Sequence, residues 1–144
     1  MNTNQDAAPA RKRIYVVGAV LERDGLILAA QRSESMSLPG MWEFPGGKIE
    51  VGETAEQALQ RELSEELRCL AEVGAHVETT EHDYDFGTVI LSTYYCTLAQ
   101  GEPALTEHSA IEWLSPAELL NLDWAPADVP AVQKIIQDRA HHAR

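Results

Sequence analysis

Four glutamates and an arginine are the residues whose types and spacing most plainly suit chemistry: Glu53, then Arg61 with Glu62, Glu65 and Glu66. Thr54 and Gln57 form a capping-box signature, so a helix should open there and run to about Leu67. At helical spacing Leu59, Leu63 and Leu67 make one apolar stripe. Glu62, Glu65 and Glu66 abut that stripe, while Gln57, Ser64 and Arg68 fall on the solvent side. A glutamate run is ordinarily a solvated acidic face. The placement here argues for something else, because Glu62 and Glu66 repel at i,i+4 and carboxylates at the edge of a core need a cation or protons. An all-oxygen set without Cys or His suits a hard divalent ion, Mg²⁺ or Mn²⁺.

The stretch from Gly47 through Glu53 to Arg61-Glu62-Leu63-Ser64-Glu65-Glu66-Leu67 resembles the signature of the Nudix hydrolase family, G-x5-E-x7-R-E-U-x-E-E-x-G-U, with U a bulky apolar residue. Every charged position matches at the right spacing. One place departs: Arg68 stands where the family has Gly, and Cys69 takes the last apolar position. A non-Gly residue in the left-handed conformation that ends such a helix costs about 1–2 kcal/mol. The departure should therefore tell on the helix end and the next loop rather than on the carboxylates. A weaker resemblance extends from Ile14 to Ile136.

The resemblance implies roles residue by residue. Glu62, Glu65 and Glu66 would be the Mg²⁺ ligands, with the Gly46 carbonyl contributing. Arg61 would orient the glutamates, and Glu53 would pair with it from ahead of the helix. Arg32 resembles the family's phosphate-binding arginine, and Lys48 is a second candidate. Glu107 matches a late-loop Glu that in MutT-type members assists at the metal and is a candidate base; it is also one more acid in an acidic stretch. The implied reaction is hydrolysis of a nucleoside diphosphate linked to another group, assisted by the divalent ion.

The segment Trp124–Pro130 resembles the branch of MutT-type and CTP-pyrophosphohydrolase-type enzymes. These cut nucleoside triphosphates to the monophosphate and pyrophosphate, sanitising the nucleotide pool and sparing DNA repair. Asp128 stands where 8-oxo-dGTP-specific members carry Asn. An ionised Asp only accepts hydrogen bonds, which favours an exocyclic amine and so a (d)CTP-like substrate, with 8-oxo-dGTP the other candidate. Asp128 could equally be the N-cap of the last helix. Phe86, Tyr94 and Tyr95 could stack on a base, although aromatics on strands more often pack in a core. Two other readings stay open. One is a Nudix hydrolase of ADP-ribose or dinucleoside polyphosphates. The other is a non-catalytic module that recognises a modified base in DNA; such modules lose box glutamates, and this chain keeps all four.

The elements that must position these groups follow from pattern. Ile14–Glu22 and Leu26–Gln31 read as strands around the hairpin signal Asp24-Gly25. Trp42–Phe44 reads as a short strand closed by Pro45-Gly46-Gly47. Val73–Tyr84, Thr88–Leu98 and Ser109–Leu114 read as further strands. Ser115-Pro116-Ala117-Glu118 reads as a second helix start, and Val129–His141 as a last helix with Val132, Ile135 and Ile136 inward. The sum is one α/β domain over residues 13–144, a mixed sheet sandwiched between helices, after a disordered segment 1–12.

Charge narrows the partners. The 144 residues carry a formal −12. Seven acids against Lys48 and Arg61 give residues 43–66 a net −5, and residues 69–133 hold eleven acids with no Lys or Arg. That balance disfavours nucleic acid polymers and anionic membranes, leaving a small nucleotide as the partner of a monomer or homodimer. No stretch approaches the ~20 apolar residues of a membrane span. Cys69 and Cys96 fit no metal or redox spacing, so a cytoplasmic setting is expected.

Overall fold

A computed structural model describes residues 11–142 of the chain. Strand β1 (Arg13–Arg23) turns through Asp24-Gly25 into β2 (Leu26–Gln31), and both turn residues adopt positive φ, 53° and 79°. β3 is Trp42–Glu43 and β4 is Gly46–Lys48. The long strands β5 (Leu70–Tyr84) and β6 (Gly87–Gln100) pair antiparallel, and β7 (Ala110–Leu114) pairs with β2. β1 runs parallel to β6 at the centre of a mixed sheet ordered β3-β2-β1-β6-β5.

Two helices cover the two faces. Alternation along β1 explains how. Val17, Ala19 and Leu21 point to helix α1 (Ala55–Leu67) and pack with Ala58, Leu59, Leu63 and Leu67, all without exposed surface. Val20 points the other way, into a second core with Phe44, Trp124, Val132 and Ile135, the last two on helix α2 (Val129–His142). The expected α/β/α sandwich is what forms. Burying a Leu or Ile side chain contributes about 1.5–3 kcal/mol, so the three-leucine stripe anchors the glutamate helix firmly.

Three local readings need correction. Pro45-Gly46-Gly47 does not simply close a strand, because Gly46–Lys48 pairs antiparallel with Val16–Gly18 of β1. Glycine is required there by contact: a methyl on Gly46 would overlap the Val17 carbonyl. Pro116–Asn121 is a 3-10 turn, not an α-helix, although Ser115 N–H does donate to Glu118 Oε1 at 2.9 Å. Of the segment expected to be disordered, residues 1–10 lie outside the described ones, but Arg11 and Lys12 are tied in. Arg11 Nε donates to Thr88 Oγ1 at 3.1 Å, and the Lys12 carbonyl accepts from Thr88 N–H at 2.8 Å.

The acidic zone is also less purely solvated than its composition suggests. Arg13 pairs with Glu81 at 2.9 Å and Arg23 with Glu102 at 2.6 Å. These exposed pairs contribute little stability each, yet they offset part of the self-repulsion.

Arg68 tells where the family departure was expected to. It adopts φ 55° and ψ 39° and ends α1 as glycine would, its N–H directed at the Leu63 and Ser64 carbonyls. The helix end is intact and the left-handed strain is carried by a side-chain-bearing residue. Arg68→Gly should therefore raise stability by about 1 kcal/mol, a gain of a few degrees in Tm by thermal unfolding.

Candidate active site

The site lies where α1, β4 and the loops after β2 and β6 meet. Thr54 caps α1 with both halves of the capping box: Gln57 N–H donates to Thr54 Oγ1 at 3.1 Å, and Thr54 N–H to Gln57 Oε1 at 2.9 Å. That start sets the phase in which Glu62 and Glu66 fall half-buried at the edge of the apolar stripe.

Arg61 is the clamp. Its Nε donates to Glu53 Oε2 at 2.7 Å and its Nη2 to Glu53 Oε1 at 3.0 Å, a bidentate pair ahead of the helix. Nη2 also donates to the Lys48 carbonyl at 2.9 Å, tying α1 to β4. Nη1 stands 3.3 Å from Glu62 Oε1 and 3.4 Å from Glu65 Oε2. The hydrogen bonds Arg61 donates hold the Glu53 carboxyl down to about 2, and the same bonds raise the Arg61 guanidinium further above its ordinary value.

Glu66 is the most confined carboxylate of the group. Gly46 N–H donates to its Oε1 at 3.2 Å. Burial pushes its carboxyl up to about 8; nearby Glu43 and Glu62 add to the rise, while His108 and the Gly46 N–H oppose it. Burial also raises Glu62, whose carboxylate lies so close to Gly47 that a methyl there would overlap it. Glu65 is exposed at 58% of its side chain and points away from the cavity toward Arg61.

Glu107 sits on an exposed loop. The Thr106 hydroxyl donates to the Glu66 carbonyl, which holds that loop against α1, and the Glu107 charge is felt at Glu62. Among the described residues, no three Asp, Glu, His or Cys groups form a finished cation cage. Arg61 Nη1 holds Glu62 and Glu65 side by side. The donor chemistry nonetheless fits a hard cation: Glu62 and Glu66 bring carboxylate oxygens together beside Gly46, and both are held at raised pKa by burial. Glu62, Glu65, Glu66, Glu107 and the Gly46 carbonyl are the groups that would hold it.

A cavity of about 500 Å³ opens beside these carboxylates, a size typical of small-molecule sites. Arg32, Glu43, Gly46, Lys48, Glu62 and Glu66 line one part of it, while Ile14, Val16, Val89, Leu91, Tyr84 and Phe86 line another. The apolar wall is the even-numbered face of β1 beside its β6 partners, Ile14 opposite Val89 and Val16 opposite Leu91.

Asp128 also lines this cavity, and both of its expected roles change. It is not the N-cap of α2; it ends a 3-10 turn, Pro126–Asp128, and its Oδ1 accepts from Phe44 N–H at 3.1 Å. Nor does its setting favour the ionised, acceptor-only form. Burial, reinforced by the charge of Glu43, pushes its carboxyl well above the usual carboxylate range. A protonated carboxyl keeps the Phe44 bond through Oδ1 and has an O–H to donate.

Two site residues escaped the pattern reading. Glu43 bridges Arg32, at 2.5 Å from Nη1, and His108, at 2.8 Å from Nε2. His108 is buried; burial opposes its charged form, but the hydrogen bond and charge of Glu43 outweigh that and raise its pKa. Arg32 is further held by the Ser37 carbonyl and hydroxyl. Lys48, by contrast, has no ion pair among the described residues and stands exposed at the cavity. Of the aromatics, Tyr94 packs against the α1 core and Tyr95 against the α2 core, where its hydroxyl donates to Asp138 at 2.7 Å, so both leave the site. Phe86 stays at it.

A mixed sheet between two helices, with a glutamate-bearing helix clamped by arginine against a Gly-Gly strand, is the arrangement of a hydrolase that works on polyphosphates with a divalent cation. The NUDIX domain family matches residues 11–135, and the chain belongs to that family. It is 41% identical over 129 residues to the CTP pyrophosphohydrolase of Escherichia coli (strain K12), covering 90% of this chain and 96% of that protein. It is also 41% identical over 117 residues to a putative 8-oxo-dGTP diphosphatase 2 of Mycobacterium tuberculosis (strain ATCC 25618 / H37Rv), covering 81% and 82%. Among solved structures, the MutT protein of methicillin-resistant Staphylococcus aureus 252, a Nudix hydrolase, is 60% identical with a TM-score of 0.74 over 89% of this chain and 98% of that one. The protein is thus a Nudix hydrolase with MutT-type relatives. Among the described residues no helix is long and apolar enough to cross a membrane.

Proposed function

We propose that the protein hydrolyses nucleoside triphosphates to the monophosphate and pyrophosphate with Mg²⁺, acting on (d)CTP-like or 8-oxoguanine nucleotides. The observation that carries this is one cavity with two chemistries: Arg32, Lys48 and the carboxylates of α1 on one side, and an apolar wall beside Asp128 on the other. The relatives' names, CTP pyrophosphohydrolase and 8-oxo-dGTP diphosphatase, support the same pair of substrates.

Glu62, Glu65, Glu66, Glu107 and the Gly46 carbonyl would hold Mg²⁺, which when bound would neutralise phosphate oxygens and make a water more acidic. The chain's own groups do the rest. Arg61 and Glu53 hold the glutamates in place. Lys48 and Arg32 meet phosphate charge at the cavity, which lets an acidic protein accept a polyanion. Glu107, on an exposed loop and with its charge felt at Glu62, would be the group that takes a proton. Asp128, whose carboxyl burial shifts toward the protonated form, would in that form donate to a ring acceptor such as cytosine N3 or the O6 of 8-oxoguanine. One reading group that suits both bases agrees with relatives of both names. Buried free thiols at Cys69 and Cys96 support a reducing, cytoplasmic setting.

Pyrophosphate release from CTP, dCTP and 8-oxo-dGTP, with and without Mg²⁺, tests the proposal. Turnover of at least one of them only with the metal is expected. Activity confined to ADP-ribose or dinucleoside polyphosphates would overturn it.

Asp128 gives a second test. Its folded pKa lies above its unfolded value, so its favourable contribution is complete below the unfolded pKa and is lost as pH rises toward the folded one. Asn keeps the Phe44 bond and an N–H donor but cannot ionise. Asp128→Asn should therefore match the parent in thermal unfolding near pH 4 and exceed it increasingly toward pH 8.

A further inference from the structure

The turn between β5 and β6 carries an exposed aromatic ring that no catalytic role explains. Phe86 is 47% exposed and lines the cavity. Its ring lies over that of Tyr84, with planes 6° apart and centroids 5.1 Å apart. Tyr84 in turn meets His82 at 4.6 Å on its way along the strand. The stack is fixed from two sides. The Tyr84 hydroxyl accepts from Ala127 N–H at 2.8 Å, in the turn that bears Asp128, and the Tyr84 carbonyl accepts from Arg11.

A half-exposed phenyl ring on a polar turn loses apolar burial unless something covers it. The ring is held in orientation by its stack on Tyr84 and borders the same cavity as Asp128. A flat, partly polar heterocycle suits that place, since aromatic pairs favour offset stacking and a base keeps its edge free for Asp128. We propose that Phe86 is the stacking platform for the nucleobase, the end of a ring ladder begun by His82 and Tyr84. This rests on the nucleotide reading of the cavity and adds a division of labour. Phe86 contributes binding to any base, because every base has a π-face, whereas Asp128 discriminates by its hydrogen bond.

The test is Phe86→Ala beside Phe86→Trp, measured in kinetics with CTP and in calorimetric binding of CMP, AMP and GMP. Loss of one stacking contact should raise KM about tenfold or more with kcat nearly unchanged, and weaken all bound monophosphates by a similar factor. Phe86→Trp should restore both. Unchanged KM and affinity in Phe86→Ala overturn the proposal, as does equal failure of the Trp variant. So does absence of monophosphate binding to the parent protein. Phe86-dependent monophosphate binding in a protein that hydrolyses no nucleotide upholds the platform and refutes the pyrophosphohydrolase reading instead.

Discussion

Replacing Glu66 by Gln should cut pyrophosphate release by roughly a thousandfold while leaving the protein folded, because metal-assisted charge stabilisation is worth several kcal/mol and each ~1.4 kcal/mol is tenfold in rate. The amide keeps the volume of the side chain and can still accept from Gly46 N–H, so the contact between β4 and α1 survives. Its effect on stability has a definite sign. The Glu66 carboxyl, pushed up to about 8 by burial, disfavours the ionised form in the folded protein. The parent therefore loses stability as pH rises from about 4.5 toward 8, and a neutral amide does not. Without divalent ion the variant should be at least as stable as the parent at pH 8, read by thermal unfolding. A fall in activity accompanied by unfolding would mean that Glu66 serves the fold rather than the chemistry.

The second large effect separates two neighbouring glycines. A methyl on Gly46 meets the backbone of β1, which has no room to yield, and should break the β1–β4 pairing at a cost of about 3 kcal/mol. A methyl on Gly47 meets first the Glu62 carboxylate, the end of a flexible side chain. Gly47→Ala should therefore fold normally and lose about a hundredfold in kcat/KM, the scale of an ångström misplacement in a catalytic constellation. Chemical denaturation and kinetics on the two variants read the difference. Equal behaviour in both assays would contradict the distinct duties assigned to these positions.

The glutamate helix was legible in the sequence because three independent signals coincide there: the Thr54–Gln57 cap, the leucine stripe, and charges at fixed spacing. The strand at Gly46–Lys48 was hidden by the same residues that make it work. Pro-Gly-Gly reads as a turn, and only the packing against β1 and Glu62 shows that these glycines are there for close approach. Glu43 and His108 lay in no motif. They are 65 positions apart and meet only because β3 and the loop before β7 both abut β2. The raised pKa of Asp128 was illegible for a different reason, since its cause is burial, a property of the folded chain. Phe86 and Tyr84 left a faint signal, two aromatics two apart flanking a turn, which alternation alone could not tell from core.

The most direct test is product analysis of CTP hydrolysis in Mg²⁺ by phosphorus NMR. Attack within this cavity should yield CMP and pyrophosphate, and removing Mg²⁺ with a chelator should stop it. Formation of CDP and inorganic phosphate, or hydrolysis indifferent to the chelator, would contradict the site described above.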